Sequence, residues 1–161
     1  MNKLPQLTFD FIEWFEDQDT REKTLVEFGS GDSTIYFSQK FDKVITYEDS
    51  PYWLDRLSAA NLKNVEAHIL NHRFYKDNFE SIQNADYILV DNNPHDFNYR
   101  FYVAQVLIRK VNYQNILILD NGNWNGDAYF YLRTKYRHYQ DFIGINPRGD
   151  RTVTTVFSER I

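Results

Sequence analysis

Short apolar segments alternate with helical segments along most of this chain, and this alternation constrains the fold more than any other feature of the sequence. Each apolar segment has the length of a buried strand, and the first five end at a glycine turn or at polar residues. Strands that alternate with helices pair in parallel, because each crossover returns the chain to the same edge of the sheet. The predicted strands are KTLVEF, KVITYE, NVEAHIL, ADYILV, NILIL, DFIGI and TVTTVF.

The last two predicted strands break the alternation. They flank NPRGDR, a turn-rich loop that leaves no room for a helix and predicts an antiparallel hairpin. We therefore expect an α/β fold with a doubly wound, mainly parallel sheet of seven strands and a C-terminal antiparallel hairpin. Helices are predicted at STIYFSQKF, at SPYWLDRLSAANL with Ser50 as N-cap and Pro51 in the first turn, between Phe97 and Val111, and over 127–137.

The N-terminal segment predicts a helix that precedes this alternation. Apolar residues recur there at helical spacing, and Pro5 suits a first turn. With 161 residues and no linker rich in proline, glycine or serine, the chain is expected to form one domain, 1–161. In that domain we expect residues 1–20 to form a helix that packs near the site and residues 21–161 to form the core.

The composition excludes several classes of protein. There is no cysteine, which rules out disulfides, zinc-thiolate sites and thiol catalysis. The net charge of −5 argues against nucleic acid as the main partner, since nucleic-acid-binding proteins usually carry a basic face. The N-terminus is too acidic for a signal peptide, and no apolar run approaches the ~20 residues that cross a membrane. We therefore expect a cytoplasmic protein with no membrane partner.

The turn after the first strand, VEFGSGDST, carries the main functional signal. Ligands of α/β sheets bind at the carboxyl ends of the strands, where this turn lies. Gly29 and Gly31 allow a positive φ and leave the backbone open to a ligand, while the helix that begins near Ser33 directs its free N–H groups at the same point. Glu48 ends the second strand, about 20 residues after Glu27, as a ribose-binding acid does in nucleotide folds.

The same turn favours one kind of nucleoside cofactor. A dinucleotide site uses a third glycine for packing against the pyrophosphate, and Thr34 occupies that position here. Glu27, directly before the turn, would lie poorly beside a pyrophosphate and suits a ligand with a positive charge, such as an amino group and a sulfonium. A dehydrogenase or nucleotide-sugar enzyme that uses NAD is therefore disfavoured.

The segments VEFGSGDST, VITYEDSPYW and ADYILVDNN resemble the class I S-adenosylmethionine-dependent methyltransferases, which have a Rossmann-like sheet. The resemblance is greatest to a small branch whose first motif reads E-F-G-S-G-x-S-T. It covers roughly residues 24–125, and the terminal hairpin matches the last two strands of the family. It implies an enzyme that transfers a methyl group from S-adenosylmethionine.

The resemblance also implies which residues bind the cofactor. The first turn lines its methionine part, Glu48 binds the ribose hydroxyls, and Asp49 lies beside the adenine. Asp91 lies between cofactor and acceptor and has a catalytic role. Ser33 departs from the third glycine of many relatives. The implied cofactor-binding set is Glu27, Phe28, Gly29, Ser30, Gly31, Ser33, Thr34, Glu48, Asp49, Asn71, His72 and Asp91.

The ends of the fourth and fifth strands leave a metal site open. Asp91, Asp120 and Asn121 resemble the ligands of magnesium-dependent catechol-type O-methyltransferases, and all three offer the hard oxygen atoms that Mg²⁺ prefers. The lysine base that follows the first aspartate in that family is absent from DNNPHDF. The alternative is that Asp120 and Asn121 only cap the turn after the fifth strand.

Two histidines are candidates for a catalytic base. His95 lies shortly after Asp91, near the mouth of the predicted site, and an unperturbed histidine titrates near neutral pH. His72 is a weaker candidate. The alternative is that His95, or the adjacent Asp96, caps the next helix.

The sequence identifies neither the acceptor nor an oligomeric state. We expect a small molecule with a hydroxyl or amine group, with Trp124 as an apolar wall beside it. Nucleic-acid methyltransferases typically carry N-P-P-Y or D-P-P-Y after the fourth strand, and DNNPHDF does not match that motif. The alternative function is a non-catalytic module that binds S-adenosylmethionine or S-adenosylhomocysteine.

Overall fold

The computed structural model describes residues 4–71, 73–74, 79–92, 97–111 and 114–161. No helix within these ranges is long and apolar enough to cross a membrane. The elements in this part of the chain are, in order, α1 Phe9–Glu16, β1 Thr24–Phe28, α2 Asp32–Phe37, β2 Lys43–Glu48, α3 Pro51–Ala60, β3 Val65–Ile69, α4 Phe79–Gln83, β4 Tyr87–Val90, α5 Phe97–Lys110, β5 Ile116–Leu119, α6 Gly126–Arg133, β6 Tyr136–Ile145 and β7 Arg151–Arg160.

The strands form one seven-stranded sheet in the order β3-β2-β1-β4-β5-β7-β6. Strands β1 to β5 are parallel, and β7 runs antiparallel between β5 and β6, with Leu117 opposite Phe157. The expected doubly wound, mainly parallel sheet with a C-terminal antiparallel hairpin is therefore confirmed. The strand order reverses between β1 and β4, and ligands of such sheets bind at the carboxyl end of that pair.

Helices cover both faces of the sheet, because alternate side chains of each buried strand point to opposite faces. The face that carries Val26 and Phe28 packs against α5 and α6. The face that carries Leu25 packs against α1 and α2. By the same alternation Glu27 lies on the face of Leu25, on the side of the sheet where α2 begins.

The N-terminal helix starts later than its apolar spacing predicts. It begins at Phe9, with Thr8 in the N-cap position, and Pro5 lies outside it. The Thr8 N–H donates to Thr154 Oγ1 on β7 at 3.2 Å, so the chain before the helix is tied to the sheet instead of continuing the helical turn.

Two other helices are shorter than predicted. Helix α2 ends at Phe37, since the side chain of Asn64 donates to the carbonyl oxygens of Ser38 and Phe41 and so occupies acceptors that a longer helix would use. Helix α6 ends at Arg133, because β6 begins almost at once and pairs with β7 along its whole length.

The backbones of β1 and β4 meet directly after Phe28. Gly29 has a φ of +98°, and a Cβ atom there would lie 2.5 Å from the Asp91 carbonyl oxygen and 2.7 Å from Asn92 Cα. The Asp91 N–H donates to the Phe28 carbonyl oxygen at 2.8 Å, which holds the two chains at this spacing. The protein's own backbone therefore requires glycine at this position, whether or not a ligand also lies beside it.

We predict that Gly29→Ala lowers the free energy of unfolding by about 3 kcal/mol or more, because it adds a clash with Asp91 to the strain of a positive φ. Gly149→Ala is the matched control, since Gly149 also has a positive φ (+88°) but no described atom lies within 4 Å of the added Cβ. The control substitution is expected to lower the free energy of unfolding by about 1 kcal/mol. Urea denaturation measures both, and equal losses would contradict the role of the contact with β4.

Candidate active site

A cleft of about 460 Å³ lies at the carboxyl edge of the sheet, over the ends of β1, β2, β4 and β5. The turn between β6 and β7 and the side chain of Gln6 contribute to its rim. The structure brings more than half of the predicted cofactor residues into this one cleft. Those that line it are Gly29, Ser30, Gly31, Ser33, Glu48, Asp49 and Asp91.

Gly31 leaves one side of the cleft open. Its φ of 176° is extended backbone that any residue adopts, so conformation does not require glycine here. Among the described residues, a Cβ atom at this position would contact only the Trp53 ring, at 4.0 Å. The space above Gly31 therefore belongs to the cleft, and Trp53 on α3 forms a flat apolar wall beside it.

Glu48 is held rigidly at the end of β2. Its two carboxyl oxygens accept hydrogen bonds from the Ser30 N–H at 2.6 Å and the Ser50 N–H at 2.7 Å. Burial raises the pKa of this carboxyl group, and the two N–H donors oppose that shift. Since each carboxyl oxygen can accept more than one hydrogen bond, Glu48 can still bind hydroxyl groups in the cleft.

Glu27 does not line the cleft. It is fully buried behind the turn, where Ser33 Oγ donates to Oε1 at 2.5 Å and Thr34 Oγ1 donates to Oε2 at 2.6 Å. Burial raises the pKa of Glu27 to about 8, although the two hydroxyl donors oppose the shift. The carboxyl group is therefore mostly neutral at pH 7, and it orders the start of α2 instead of presenting a negative charge to a ligand.

Three other predicted cofactor residues lie away from the cleft lining. Thr34 is fully buried beside Glu27. Phe28 is fully buried and stacks on Tyr47, with ring centroids 5.2 Å apart. Asn71 is exposed, and its Oδ1 accepts the Arg73 N–H at 2.7 Å. The predicted roles of His72 and His95 fall outside the described residues and stay predictions.

Arg100 joins the ends of β4 and β5. Its guanidinium is almost fully buried and donates to the carbonyl oxygens of Asn92 at 2.6 Å and Asp120 at 2.5 Å. It also donates to Asn121 Oδ1 at 3.3 Å and to Asp91 Oδ1 at 3.1 Å. Charge-assisted bonds of this kind are among the strongest in proteins, so one side chain sets the relative position of both strand ends.

Arg100 is not among the predicted site residues, although the sequence carries a signal for it. The residue stands on the same face of α5 as Ala104 and Leu107, which are buried in the core. A charged residue on the apolar face of a predicted helix must find buried partners, because an unpaired buried charge is very costly. Polar backbone at the strand ends is where such partners lie.

The residues of the expected metal site do not fit a metal ion. Asp91 and Asn121 each accept a hydrogen bond from Arg100, and Asp120 Oδ1 accepts one from Thr154 Oγ1 at 2.7 Å. The side-chain oxygens of Asp91 and Asn121 that would bind a metal ion thus bind the guanidinium of Arg100. In the part of the chain that the structure describes, no group of three His, Cys, Asp or Glu side chains could hold a metal.

Asp120 is buried beneath the cleft with little charge at neutral pH. Burial raises its pKa to about 8, and the nearby charge of Asp91 raises it further, while the hydrogen bond from Thr154 lowers it. Burial also raises the pKa of Asp91, against the charges of Arg100 and Arg148. The carboxyl edge of the sheet is therefore less negative than its residues suggest.

No protein-family model matches the chain, and no curated protein sequence matches it. An rRNA methylase from Streptococcus thermophilus matches in structure with a TM-score of 0.63 and 13% identity, over 99% of each chain. The fold is that of the class I methyltransferases. The structural neighbours are S-adenosylmethionine-dependent enzymes, in agreement with the expected enzyme class.

Two further neighbours hold the expected cofactor or its product. An RNA methyltransferase from Salinibacter ruber, in complex with S-adenosylhomocysteine, matches with a TM-score of 0.58 and 16% identity, over 98% of this chain and 96% of the other. Aeropyrum pernix fibrillarin, with natively bound S-adenosylmethionine, matches with a TM-score of 0.60 and 10% identity, over 88% of this chain and 67% of the other. Neighbours of the same fold therefore bind S-adenosylmethionine or its product, in agreement with the expected cofactor.

The expectation of a small-molecule acceptor without a nucleic-acid partner is wrong. Two of these neighbours are named as an rRNA methylase and an RNA methyltransferase, which contradicts it. The expectation depended on the net charge of −5 and on the absence of N-P-P-Y or D-P-P-Y. Net charge describes the whole surface, whereas the charge at the cleft depends on Arg100, Arg148 and the raised pKa values of buried carboxyl groups.

We predict that Glu27→Gln changes how stability depends on pH. The pKa of Glu27 is about 8 in the folded protein and ordinarily 4.5. The stability that the protonated carboxyl group of Glu27 contributes is therefore complete below pH 4.5 and is lost as the pH rises to about 8. The variant should therefore gain stability relative to the wild type across this window, by up to about 1.4 kcal/mol per pH unit. Urea denaturation at several pH values measures the difference.

The control for this prediction is Glu66→Gln, the same substitution at an exposed position of β3. An equal dependence on pH in both variants would contradict the assignment to the buried carboxyl group of Glu27.

We predict that Arg100→Met lowers the free energy of unfolding by about 3 kcal/mol or more, since it leaves the Asp91 carboxylate and two buried carbonyl groups without their donor. Arg109→Met, at an exposed position in the last turn of the same helix, should change it by less than about 0.5 kcal/mol. Thermal or urea denaturation compares the two. A small loss at Arg100 would mean that the strand ends are held by other contacts.

Proposed function

We propose that this protein is an S-adenosylmethionine-dependent methyltransferase that acts on RNA. The observation that carries the proposal is the cleft at the reversal of strand order, where the open backbone of Gly31 lies beside the rigid carboxyl group of Glu48. The names of the neighbours from S. thermophilus and S. ruber support RNA as the acceptor. The motif EFGSGDST supports placement in the small branch with E-F-G-S-G-x-S-T.

The described residues fit the cofactor. The missing side chain of Gly31 leaves a cradle for the methionine part, and Glu48 presents fixed acceptors for the ribose hydroxyls. The exposed Asp49 and the Trp53 ring line the same side of the cleft and suit the edge and the face of an adenine. When bound, S-adenosylmethionine supplies a methyl group on a positively charged sulfur.

The residues at the centre of the cleft suit the alignment that methyl transfer needs. Such a transfer would need an acceptor held in line with the methyl donor, so orientation by the protein would contribute much of the rate. Asp91 lines the cleft at the end of β4, and Arg100 holds its carboxyl group in place. We assign Asp91 the role of orienting the acceptor, and His95 stays the predicted base for the proton that leaves it.

We predict that Glu48→Ala weakens S-adenosylmethionine binding about tenfold or more, because the ribose hydroxyls lose a charged acceptor. Glu48→Gln keeps one acceptor oxygen and should lose less. Asp55→Ala, an exposed acid on α3 outside the lining of this cleft, serves as the control and should bind like the wild type. Isothermal titration calorimetry measures the three, and circular dichroism checks that each is folded.

Transfer of radiolabelled methyl groups from S-adenosylmethionine to unmodified tRNA and rRNA transcripts tests the proposed function directly. Label that is incorporated by the wild type and released by ribonuclease supports it. Tight cofactor binding without transfer to either kind of RNA would contradict an RNA acceptor and favour the non-catalytic alternative.

A further inference from the structure

We propose that Trp124 and Arg148 form an acceptor subsite, in which the indole ring stacks on the target base of the RNA and the guanidinium binds a neighbouring phosphate. The inference rests on the proposed function, since it names the residues that would hold that RNA. Both side chains line the cleft. Trp124 lies on the loop after β5, and Arg148 lies on the turn after β6. In the sheet, β1 and β4 lie between β5 and β2, so both residues are on the opposite side of the cleft from Glu48.

Arg148 is the cation that the cleft offers to a ligand. Arg100 and Arg148 both line the cleft, but the Arg100 guanidinium is buried and donates to four acceptors of the protein. Arg148 is exposed, and within the described ranges its guanidinium has no hydrogen-bond or ion-pair partner. Burial raises the pKa of Asp91, and the charges of Arg100 and Arg148 both lower it.

The turn that carries Arg148 is ordered by its own hydrogen bonds. Asn146 Oδ1 accepts the N–H groups of Arg148 and Asp150, each at 3.0 Å, and the Gly149 N–H donates to the Asn146 carbonyl oxygen at 2.8 Å. Asn146 itself is buried. Because the backbone beneath the arginine is already in place, binding a phosphate there costs less conformational entropy than it would on a mobile loop.

Trp124 is an exposed ring on a loop that is tied to β7. Its side chain is 46% exposed, although it lines the cleft. The Gly122 N–H donates to the Val153 carbonyl oxygen at 3.0 Å, and Asn123 Oδ1 accepts the Val153 N–H at 3.2 Å. A flat apolar ring that is held open to the cleft in this way suits stacking on a base, as in single-strand RNA recognition.

The charge around the subsite permits a phosphate. Asp120 is mostly neutral at pH 7 because burial raises its pKa to about 8, and Asp91 is paired with Arg100. Asp150, on the same turn as Arg148, is the exposed acid that lines this side, and its carboxylate accepts a weak hydrogen bond from Asn146 at 3.4 Å. Asp91 and Asp120 therefore add little negative charge on this side of the cleft, and Asp150 is the acid that remains there among the described residues.

The test measures binding of a short, fluorescently labelled, single-stranded RNA of mixed sequence to the full chain by anisotropy over a range of salt concentrations. Trp124→Ala should weaken binding about tenfold. Arg148→Gln should weaken it and reduce the slope of log affinity against log salt by about 1. Both variants should raise the KM for the tRNA and rRNA transcripts in the methyl-transfer assay and leave the Kd for S-adenosylmethionine unchanged.

Two matched controls lie outside the cleft lining. Phe130→Ala removes an exposed aromatic ring from α6, and Arg137→Gln removes an exposed arginine from the start of β6. Both should bind RNA within twofold of the wild type. If wild-type protein methylates RNA but Trp124→Ala and Arg148→Gln match these controls, the subsite is overturned and the proposed function stands. If wild-type protein transfers no methyl group to RNA, both are overturned.

Discussion

The contact between the backbones of β1 and β4 is the constraint on which the candidate site depends. Gly29 passes the carbonyl group of Asp91 so closely that no side chain fits between them. This places the turn of Gly31 beside Asp91 in the cleft, at the point where the strand order reverses. A wider gap between β1 and β4 would move these two residues apart.

Burial decides the charge of this site as much as the amino-acid composition does. Glu27 and Asp120 are removed from water, so their pKa values rise to about 8 and both are mostly neutral at pH 7. Arg100 is equally buried, and four acceptors of the protein surround its guanidinium. The result is a guanidinium paired with Asp91 beneath this side of the cleft, so the net charge of the chain does not by itself give the charge at the cleft.

Much of the fold and part of the site follow from the order of segments along the chain. Parallel strands share one edge for their carboxyl ends, so the alternation of strands and helices is enough to bring Gly31, Glu48 and Asp91 together. The limits of the helices do not follow from it. They depend on side chains that bind distant backbone groups: Asn64 binds the backbone after α2, and Thr154 binds the backbone before α1. A local pattern carries no information about such partners.

The sequence by itself determined the sheet and the edge at which most of the predicted cofactor residues meet. Only the tertiary structure decided what each polar residue at that edge does. Glu27 turns away from the cleft because side chains alternate along a strand, and Asp91 and Asn121 bind an arginine at what was only a candidate metal site. The spacing of residues predicts which edge they share, but their orientation and their charge depend on which neighbours exclude water from them.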